Sequence, residues 1–297
     1  IAIRPLQRKR KYFPAWEDPV GTSPVPAYFH YQQLGHSWRK PGLNSFTLPA
    51  PAKLNLFLHI TGRREDGYHT LQTVFQLLDH GDTLTFTLND SKEVSFSCNI
   101  ASLEGPHNLI MQAARLLSEE TGVTLGTDIH LDKVLPEASG LGGGSSNAAT
   151  TLLALNRLWD CKLETDDLAR LGLALGADVP VFVQGKSAWA EGIGENLQVF
   201  DLPERWYLVL TPDCHVSTKA IFSHPELTRH TDPIKIPAFP FPGSRNDCEI
   251  LVSSLYSPVK KVLDWLSGFA EARMTGTGAS VFAAFETEQA AQQVLDL

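Results

Sequence analysis

A run of glycines and serines constrains this chain more than any other stretch: PEASGLGGGSSNAAT, from Pro136 to Thr150. Before it, TDIHLDKVLP alternates apolar and polar residues as a strand does. After it, apolar residues recur at the spacing of a helix with one buried face, at Ala148, Ala149, Leu152, Leu153 and Leu155. The sequence therefore predicts a strand, a glycine loop and a helix, in that order.

Such a loop is suited to binding an anion. Glycine tolerates positive φ and lets a ligand approach the backbone without a Cβ in the way. The bare N–H groups and the positive end of the helix dipole then face the ligand, beside the hydroxyls of Ser145 and Ser146. A flexible loop capped by Ser145 is the alternative; it explains the serine but not three consecutive glycines. We therefore expect a polyphosphate here.

Several better-known phosphate or nucleophile motifs do not fit. The dinucleotide pattern GxGxxG, started at Gly140, requires a glycine where Ser145 stands. The Walker pattern that would end at Gly185-Lys186-Ser187 begins on Pro180. The chain contains no HRD or DFG triplet of protein kinases, and no GxSxG elbow surrounds Ser145.

Length and composition indicate a globular protein in two domains. The chain has 297 residues, 43% hydrophobic and 20% charged, with no run of 18 apolar residues and no secretory signal pattern. No HExxH or CxxC spacing indicates a metal site, and the cysteines are too scattered for a disulfide framework: Cys98, Cys161, Cys214 and Cys248. We expect a cytoplasmic protein without a membrane partner, as a monomer or a weak homodimer.

The charge is distributed unevenly. The net charge is −8; residues 1–48 hold seven basic and two acidic residues (+5), and the remainder holds 18 basic and 31 acidic (−13). An acidic body does not suit nucleic acid, so we expect no such partner. Residues 1–48 are rich in proline and show no strand or helix period, which predicts a disordered, adventitious extension. The RKRK run leaves open a nucleic-acid patch or a plastid transit peptide.

The body begins with a strand pattern. AKLNLFLHI alternates leucine and isoleucine with Lys53, Asn55, Phe57 and His59, which predicts a strand with one face on a core and Lys53 on the other. TGRREDGYHT reads as a loop, and LQTVFQLLD, DTLTFTL and VSFSC as three further strands of an antiparallel or mixed sheet. Asn108 to Thr121 reads as a helix that Gly122 ends.

Three stretches in order resemble the kinase superfamily named after galactokinase, homoserine kinase, mevalonate kinase and phosphomevalonate kinase. They are APAKLNLFL, the glycine loop and RMTGTGASVFAAF. With PAKLNLFLHITGRREDGYHTLQTVFQLLD, LGADVPVFV and NDCE, the chain from about residue 49 to 297 is similar to one branch, which phosphorylates a cytidine diphosphate-linked methylerythritol in non-mevalonate isoprenoid synthesis.

The resemblance implies an ATP-dependent kinase with Mg²⁺ as a second cofactor. It places the triphosphate on Pro136, Gly140, Leu141, Gly142, Gly143, Gly144, Ser145 and Ser146. It does not identify protein ligands for the metal. The family's catalytic aspartate matches Asp178, which would take the hydroxyl proton, and its lysine matches Lys53, whose charge would favour the ionised carboxylate and stabilise the transferred group. Otherwise, Asp178 would be an ordinary loop aspartate and Lys53 a solvated strand-edge lysine.

The resemblance also implies a base site. Tyr68 and Phe222 match aromatics that sandwich cytosine, and His69 matches the residue that reads the base edge. Asn55 and Thr218 match positions near the phosphate or methylerythritol end. The alternatives are an exposed turn for Tyr68 and His69 and a core contact for Phe222.

The sequence TGTG, comprising Thr275, Gly276, Thr277 and Gly278, would approach the diphosphate or the transferred phosphate through backbone N–H groups. A hairpin turn without a ligand is the alternative.

The implied fold is α+β in two parts. Residues 49–200 would form a ribosomal-protein-S5-domain-2-like kinase domain that binds ATP, and residues 201–297 a ferredoxin-like domain. Because TEQAAQQVLDL ends the chain in a helix where relatives continue into further sheet, we expect this second domain to be truncated.

Two other functions stay open at this point. One is another kinase of the superfamily, acting on mevalonate or homoserine, although it gives no role to Tyr68, His69 and Phe222. The other is a nucleotide sensor without turnover, which would need neither Lys53 nor Asp178.

Overall fold

The computed structural model describes residues 2–3, 45–123, 125–235, 241 and 243–297. Of the extension predicted at 1–48, residue 1 and residues 4–44 lie outside the described residues. The prediction of disorder is wrong for residues 2–3, which form a strand, and for 45–48, which begin the next strand and pair with a neighbouring one. The strands of the described part are β1 (Ala2–Ile3), β2 (Ser45–Arg63), β3 (His69–Leu88), β4 (Val94–Cys98), β5 (Thr127–Asp132), β6 (Ala188–Glu191), β7 (Asn196–Val199), β8 (Trp206–Leu210), β9 (Ala272–Met274) and β10 (Val281–Phe285). Its α-helices are α1 (Leu109–Thr121), α2 (Gly143–Leu158), α3 (Thr165–Leu173), α4 (Val179–Gln184), α5 (Thr218–Ser223), α6 (Glu249–Leu255), α7 (Ser257–Ser267) and α8 (Glu288–Leu295).

The first sheet is mixed, one of the two arrangements that its sequence patterns predicted. Its strands run in the order β4-β5-β3-β6-β7, with β2 pairing with β3, and only the β4–β5 pair is parallel. The two strands predicted at 71–79 and 82–88 are one continuous strand, β3. Gly81 allows this continuity, because a Cβ there would lie 2.0 Å from the Ala50 carbonyl oxygen of the paired strand.

Helices α1 to α4 bury their apolar faces on this sheet. The helix predicted from Asn108 to Thr121 is confirmed: the Asn108 side chain accepts a hydrogen bond from the Ile110 N–H, and Gly122 ends the helix at a φ of 69°. The core beneath includes Leu84, Phe86, Ile110, Leu117, Leu152 and Phe182. No helix in the described part is long and apolar enough to cross a membrane.

A second, four-stranded antiparallel sheet has the order β1-β8-β10-β9. Helices α6, α7 and α8 contribute Val252, Val259, Leu266 and Val294 to its separate apolar core. The predicted two-part α+β fold is therefore confirmed. The domain boundary predicted near residue 200 stays a prediction; it falls between β7 and β8.

Strand β2 joins the two parts. The prediction that only one of its faces lies on a core is wrong, since Lys53, Asn55, Phe57 and His59 are all buried. The leucine face packs with Tyr207, Val209 and Phe282 of the second sheet in a third apolar cluster. The opposite face is covered as well, since Lys53 Nζ lies 3.3 Å from Asp178 and a Cβ on Gly276 would lie 3.4 Å from Asn55 Oδ1. Polar side chains on β2 therefore point into the protein between the two parts and not into bulk water.

Candidate active site

The glycine loop ends in the first turn of α2. Gly142 caps this helix at a φ of 74°, in the left-handed region that favours glycine. A Cβ on Gly142 would lie 2.9 Å from Phe182 Cζ and 3.1 Å from Lys53 Cε. Only a glycine therefore allows the loop to lie this close to Lys53.

The first turn of α2 presents N–H groups that no described residue pairs with. The N–H groups of Gly143, Gly144 and Ser145 precede the first intrahelical bond, which runs from the Ser146 N–H to the Gly142 carbonyl. Ser145 lies inside the helix and does not cap it, contrary to the flexible-loop alternative. The buried Oγ of Ser146 has no hydrogen-bond partner in the described part of the chain. The turn has the donor set of a phosphate site.

Both parts of the protein hold the loop in place. Leu141 is buried, and its carbonyl accepts from the Lys53 N–H at 2.9 Å. The Ser139 hydroxyl donates to the Pro136 carbonyl at 2.8 Å, and the Ser139 carbonyl accepts from the Ser280 N–H at 3.0 Å. A Cβ on Gly140 would lie 2.4 Å from the Thr275 carbonyl oxygen. The loop is thus rigidly placed against the β9–β10 turn.

A buried ion pair holds the segment that precedes the glycine loop. Asp82 is fully buried; its carboxylate contacts Lys133 Nζ at 2.7 Å and accepts from the N–H groups of Val134 and Leu135 at 2.7 and 2.8 Å. Lys133 Nζ lies 3.0 Å from where a Gly143 Cβ would stand. Nothing in the glycine motif itself indicated Asp82, which lies far upstream on β3.

Lys53 and Asp178 meet beside this loop. Lys53 Nζ lies 3.3 Å from Asp178 Oδ2, and their side chains are 4% and 33% exposed. The ammonium also donates to Asn55 Oδ1 at 2.5 Å and lies 5.4 Å from the centre of the Phe75 ring. The structure contradicts a solvated strand-edge lysine. Asp178 occupies the N-terminal cap of α4, followed by Pro180 in the first turn.

Asn55 connects the ion pair to the TGTG segment. Its Nδ2 donates to Thr73 Oγ1 at 2.9 Å, and its backbone N–H donates to Thr275 Oγ1 at 2.8 Å. A Cβ on Gly276 would lie 3.4 Å from Asn55 Oδ1. A Cβ on Gly278 would lie 2.9 Å from Met274 Sδ. TGTG is therefore a hairpin turn, and it lies against Asn55 beside the Lys53–Asp178 pair.

The NDCE stretch, to which the sequence assigned no role, organises this turn. Asn246 Nδ2 donates to the carbonyls of Met274 and Gly276, each at 2.8 Å. Glu249 Oε2 accepts from the Met274 N–H at 2.7 Å, and burial raises the pKa of Glu249. Asp247 Oδ2 accepts from the Ile60 N–H at 2.7 Å and so ties β2 to the same segment.

Helix α5 leads from the turn to the predicted base site. Thr218 Oγ1 and Thr277 Oγ1 lie 2.9 Å apart at the start of this helix. Phe222 lies four residues on, about 6 Å along a helix axis. Its ring stacks on the imidazole of His69, with centroids 5.1 Å apart and planes at 28°. Tyr68 is 60% exposed. The structure thus pairs Phe222 with His69, and the sandwich with Tyr68 stays a prediction.

His69 is held as a neutral acceptor. Its Nε2 accepts from Arg229 Nε at 3.1 Å. Burial, and then the charges of Arg229 and Arg63, lower the pKa of His69.

Within the described residues, no group of three or more His, Cys, Asp or Glu side chains could hold a metal ion.

Matches to known proteins agree with the two-part fold and with the placement of the glycine loop and Asp178 in one domain. The GHMP kinases N terminal domain model matches residues 108–186, which include the glycine loop and Asp178, and the GHMP kinases C terminal model matches residues 243–296. The Methanococcus jannaschii mevalonate kinase shares the fold at a TM-score of 0.61 and 13% identity, over 86% of this chain and 95% of that one. Fold and site define a GHMP kinase, an ATP-dependent enzyme that phosphorylates a small molecule.

Nearer relatives narrow this class. A 4-diphosphocytidyl-2-C-methyl-D-erythritol kinase of Pseudomonas entomophila (strain L48) is 56% identical over 255 residues, 86% of this chain and 89% of the relative. One of Alkalilimnicola ehrlichii is 56% identical over 84% of this chain and 85% of its own. A crystal structure of 4-(cytidine 5'-diphospho)-2C-methyl-D-erythritol kinase matches at a TM-score of 0.74 and 32% identity, over 84% and 94%. The chain belongs to the 4-diphosphocytidyl-2-C-methyl-D-erythritol kinase family, as its motifs predicted.

Proposed function

We propose that this chain transfers the γ-phosphoryl group of ATP to the 2-hydroxyl of 4-diphosphocytidyl-2-C-methyl-D-erythritol. The observation that carries the proposal is the Lys53–Asp178 pair, 3.3 Å apart between the glycine loop and the TGTG turn. The names and the 56% identity of the nearer relatives support the same substrate.

Asp178 and Lys53 have complementary tasks. The Asp178 carboxylate is partly exposed, so an incoming hydroxyl can reach it and donate its proton. Lys53 is buried, and its ammonium is held by Asn55, Phe75 and Asp178 itself. A fixed cation stabilises the charge on the transferred phosphoryl group without reorganising during the reaction.

The first turn of α2 would bind the triphosphate through the N–H groups of Gly143, Gly144 and Ser145. The buried Oγ of Ser146, which has no hydrogen-bond partner among the described residues, is an oxygen ligand of the kind that Mg²⁺ uses beside phosphates. When bound, Mg²⁺ would neutralise charge between the β- and γ-phosphates. These residues would orient the nucleotide so that its terminal phosphate faces Asp178.

The cytidine end would bind around α5. We propose that cytosine stacks on Phe222 and Tyr68 and that His69 reads its edge, as the family resemblance implies. Thr218 and Thr277, joined by a 2.9 Å contact, lie between this end and Asn55 and would contact the diphosphate or the methylerythritol. A cytoplasmic location and a monomeric or weakly dimeric state stay predictions.

The test is ADP release by the purified chain with ATP and Mg²⁺, with three alcohols compared in parallel. We expect turnover with the cytidylated methylerythritol and none above background with mevalonate or homoserine. Turnover with either of these two and not with the cytidylated alcohol would overturn the proposal. ATP binding by calorimetry without turnover on any alcohol would indicate a sensor instead.

A further inference from the structure

The guanidinium of Arg229 uses all five of its N–H donors. Its Nε donates to His69 Nε2 at 3.1 Å. The other four donors bind main-chain carbonyls of the end of α5 and the segment that follows it: Phe222 at 3.1 Å, His224 at 2.5 Å, Pro225 at 3.3 Å and Leu227 at 3.1 Å. Arginine is the side chain whose planar fork can satisfy so many fixed acceptors at once. Every one of these acceptors is neutral.

This arrangement determines which nitrogen of His69 carries the proton. Because Arg229 Nε can only donate, Nε2 of His69 must supply a lone pair, and the proton of the neutral ring lies on Nδ1. Nδ1 has no hydrogen-bond partner among the residues that the structure describes. The lowered pKa of His69 agrees with a neutral ring. His69 is therefore a one-donor group whose donor is free.

The same guanidinium also places the aromatic partner of His69. It binds the Phe222 carbonyl, and the Phe222 ring stacks on the imidazole at 5.1 Å. The Arg229 side chain thus orients both His69, which is predicted to read the edge of the base, and Phe222, which is predicted to stack on it.

We propose that Arg229 is a positioning residue that selects cytosine over uracil by holding His69 as a donor through Nδ1. The inference rests on the proposed function, since it requires a pyrimidine at His69. A fixed donor matches N3 of cytosine, which carries a lone pair. In uracil the same position carries a hydrogen, so two donors would face each other, and a desolvated mismatch of this kind gives specificity.

Calorimetric titration of the full chain with CDP and with UDP tests the proposal without requiring turnover. The wild type is expected to bind CDP more tightly. Arg229→Met is expected to raise the Kd of CDP about tenfold, the loss of one well-placed hydrogen bond, and to change that of UDP less than twofold. The matched control is Arg63→Met: Arg63 pairs with His69 across β2 and β3 and also lowers its pKa, but donates no hydrogen bond to it in the described structure. An unchanged CDP/UDP ratio in Arg229→Met would overturn the proposal.

A second variant separates this role from simple support of the loop. In His69→Asn the amide can donate from the position of Nδ1, with no ring nitrogen left for Arg229. Adding Arg229→Met to it is expected to change the CDP/UDP ratio less than twofold. An equal tenfold loss in both backgrounds would mean that Arg229 only supports the segment after α5, and the proposal would be wrong. Failure of the proposed function would appear elsewhere, as absent ADP release by the wild type.

Discussion

The ammonium of Lys53 and the carboxylate of Asp178 lie 3.3 Å apart, although they come from β2 and from the cap of α4. Neither position reads as catalytic by itself. Their meeting depends on Gly142, which lets the glycine loop approach the Lys53 side chain, and on the Leu141 carbonyl, which binds the Lys53 N–H. The pair is thus built into the same packing that places the glycine loop.

Lys53→Met should lower kcat by about 10²- to 10³-fold, because it removes a preorganised charge at the transferred group and keeps the side-chain volume. Steady-state ADP release measures this effect. Lys162→Met is the control, since the Lys162 side chain is 76% exposed and pairs only with Asp160 in the described part. Near-native kcat in Lys53→Met would remove the lysine from the mechanism.

Tyr68→Ala should raise the KM of the cytidylated substrate about tenfold with little change in kcat, because stacking holds the ground state and the transition state alike. Tyr68→Phe keeps the ring and should behave like the wild type. The prediction fails if Tyr68→Ala lowers kcat at an unchanged KM.

Gly142→Ala should destabilise the fold and raise the KM of ATP. The alanine would have to adopt a positive φ, and its Cβ would also lie 2.9 Å from the Phe182 ring. Gly122→Ala is a matched control, with a φ of 69° and no described atom within 4 Å of its Cβ. The control should lose only about 1–2 kcal/mol of unfolding free energy, the strain of a left-handed residue. Equal losses by urea denaturation would show that the contact with Phe182 does not matter.

Asp82→Asn should lower the free energy of unfolding by about 3–5 kcal/mol, because it leaves the buried Lys133 ammonium without its counter-charge. The KM of ATP should rise as well, since the carboxylate holds the segment that leads into the glycine loop. Asp264→Asn, in an exposed pair with Lys260, should be nearly neutral in the same denaturation experiment. A neutral Asp82→Asn would mean that the segment is held by its packing alone.

Stability should fall as the pH is lowered through 6.5. Burial lowers the pKa of His59, His69 and His80 from that ordinary value. Below pH 6.5 the unfolded chain then binds more protons than the folded one, so the free energy of unfolding decreases there. Above pH 6.5 the contribution of these histidines to stability is fully present. Thermal unfolding from pH 7.5 to 5.5 measures the trend. His59→Gln, which keeps an acceptor for the Arg245 N–H, should reduce the loss. A flat profile would contradict the assignment.

Local patterns predicted the helix at Asn108 and the order of strand, glycine loop and α2, because caps and periodicity act over a few residues. The same patterns failed at β2 and β3. Alternation along β2 suggested a solvent-exposed face, but Lys53 is buried because the glycine loop and Asp178, which lie far downstream in the sequence, pack against it. The break predicted within β3 disappears because Gly81 is accommodated by the facing strand and not by a turn.

Site residues with long-range partners could not be found from sequence spacing. Asp82 and Arg229 act on Leu135 and His69 through contacts between distant segments. NDCE was visible as a stretch, yet its role follows only from the carbonyls of Met274 and Gly276 that Asn246 binds. Assignment of Lys53 and Asp178 needed the family resemblance, and their 3.3 Å contact agrees with it.

The most direct test follows ³¹P NMR signals with ATP, Mg²⁺ and the cytidylated methylerythritol, for the wild type and for Asp178→Asn. The wild type should produce ADP and a phosphomonoester on the 2-hydroxyl at equal rates. Asp178→Asn should be slower by about 10²- to 10⁴-fold, because it lacks the base. The substitution also leaves the buried Lys53 ammonium without its counter-charge, so thermal unfolding is measured alongside to show that the variant is folded at the assay temperature. A folded Asp178→Asn variant that formed the same product at the wild-type rate would contradict the account.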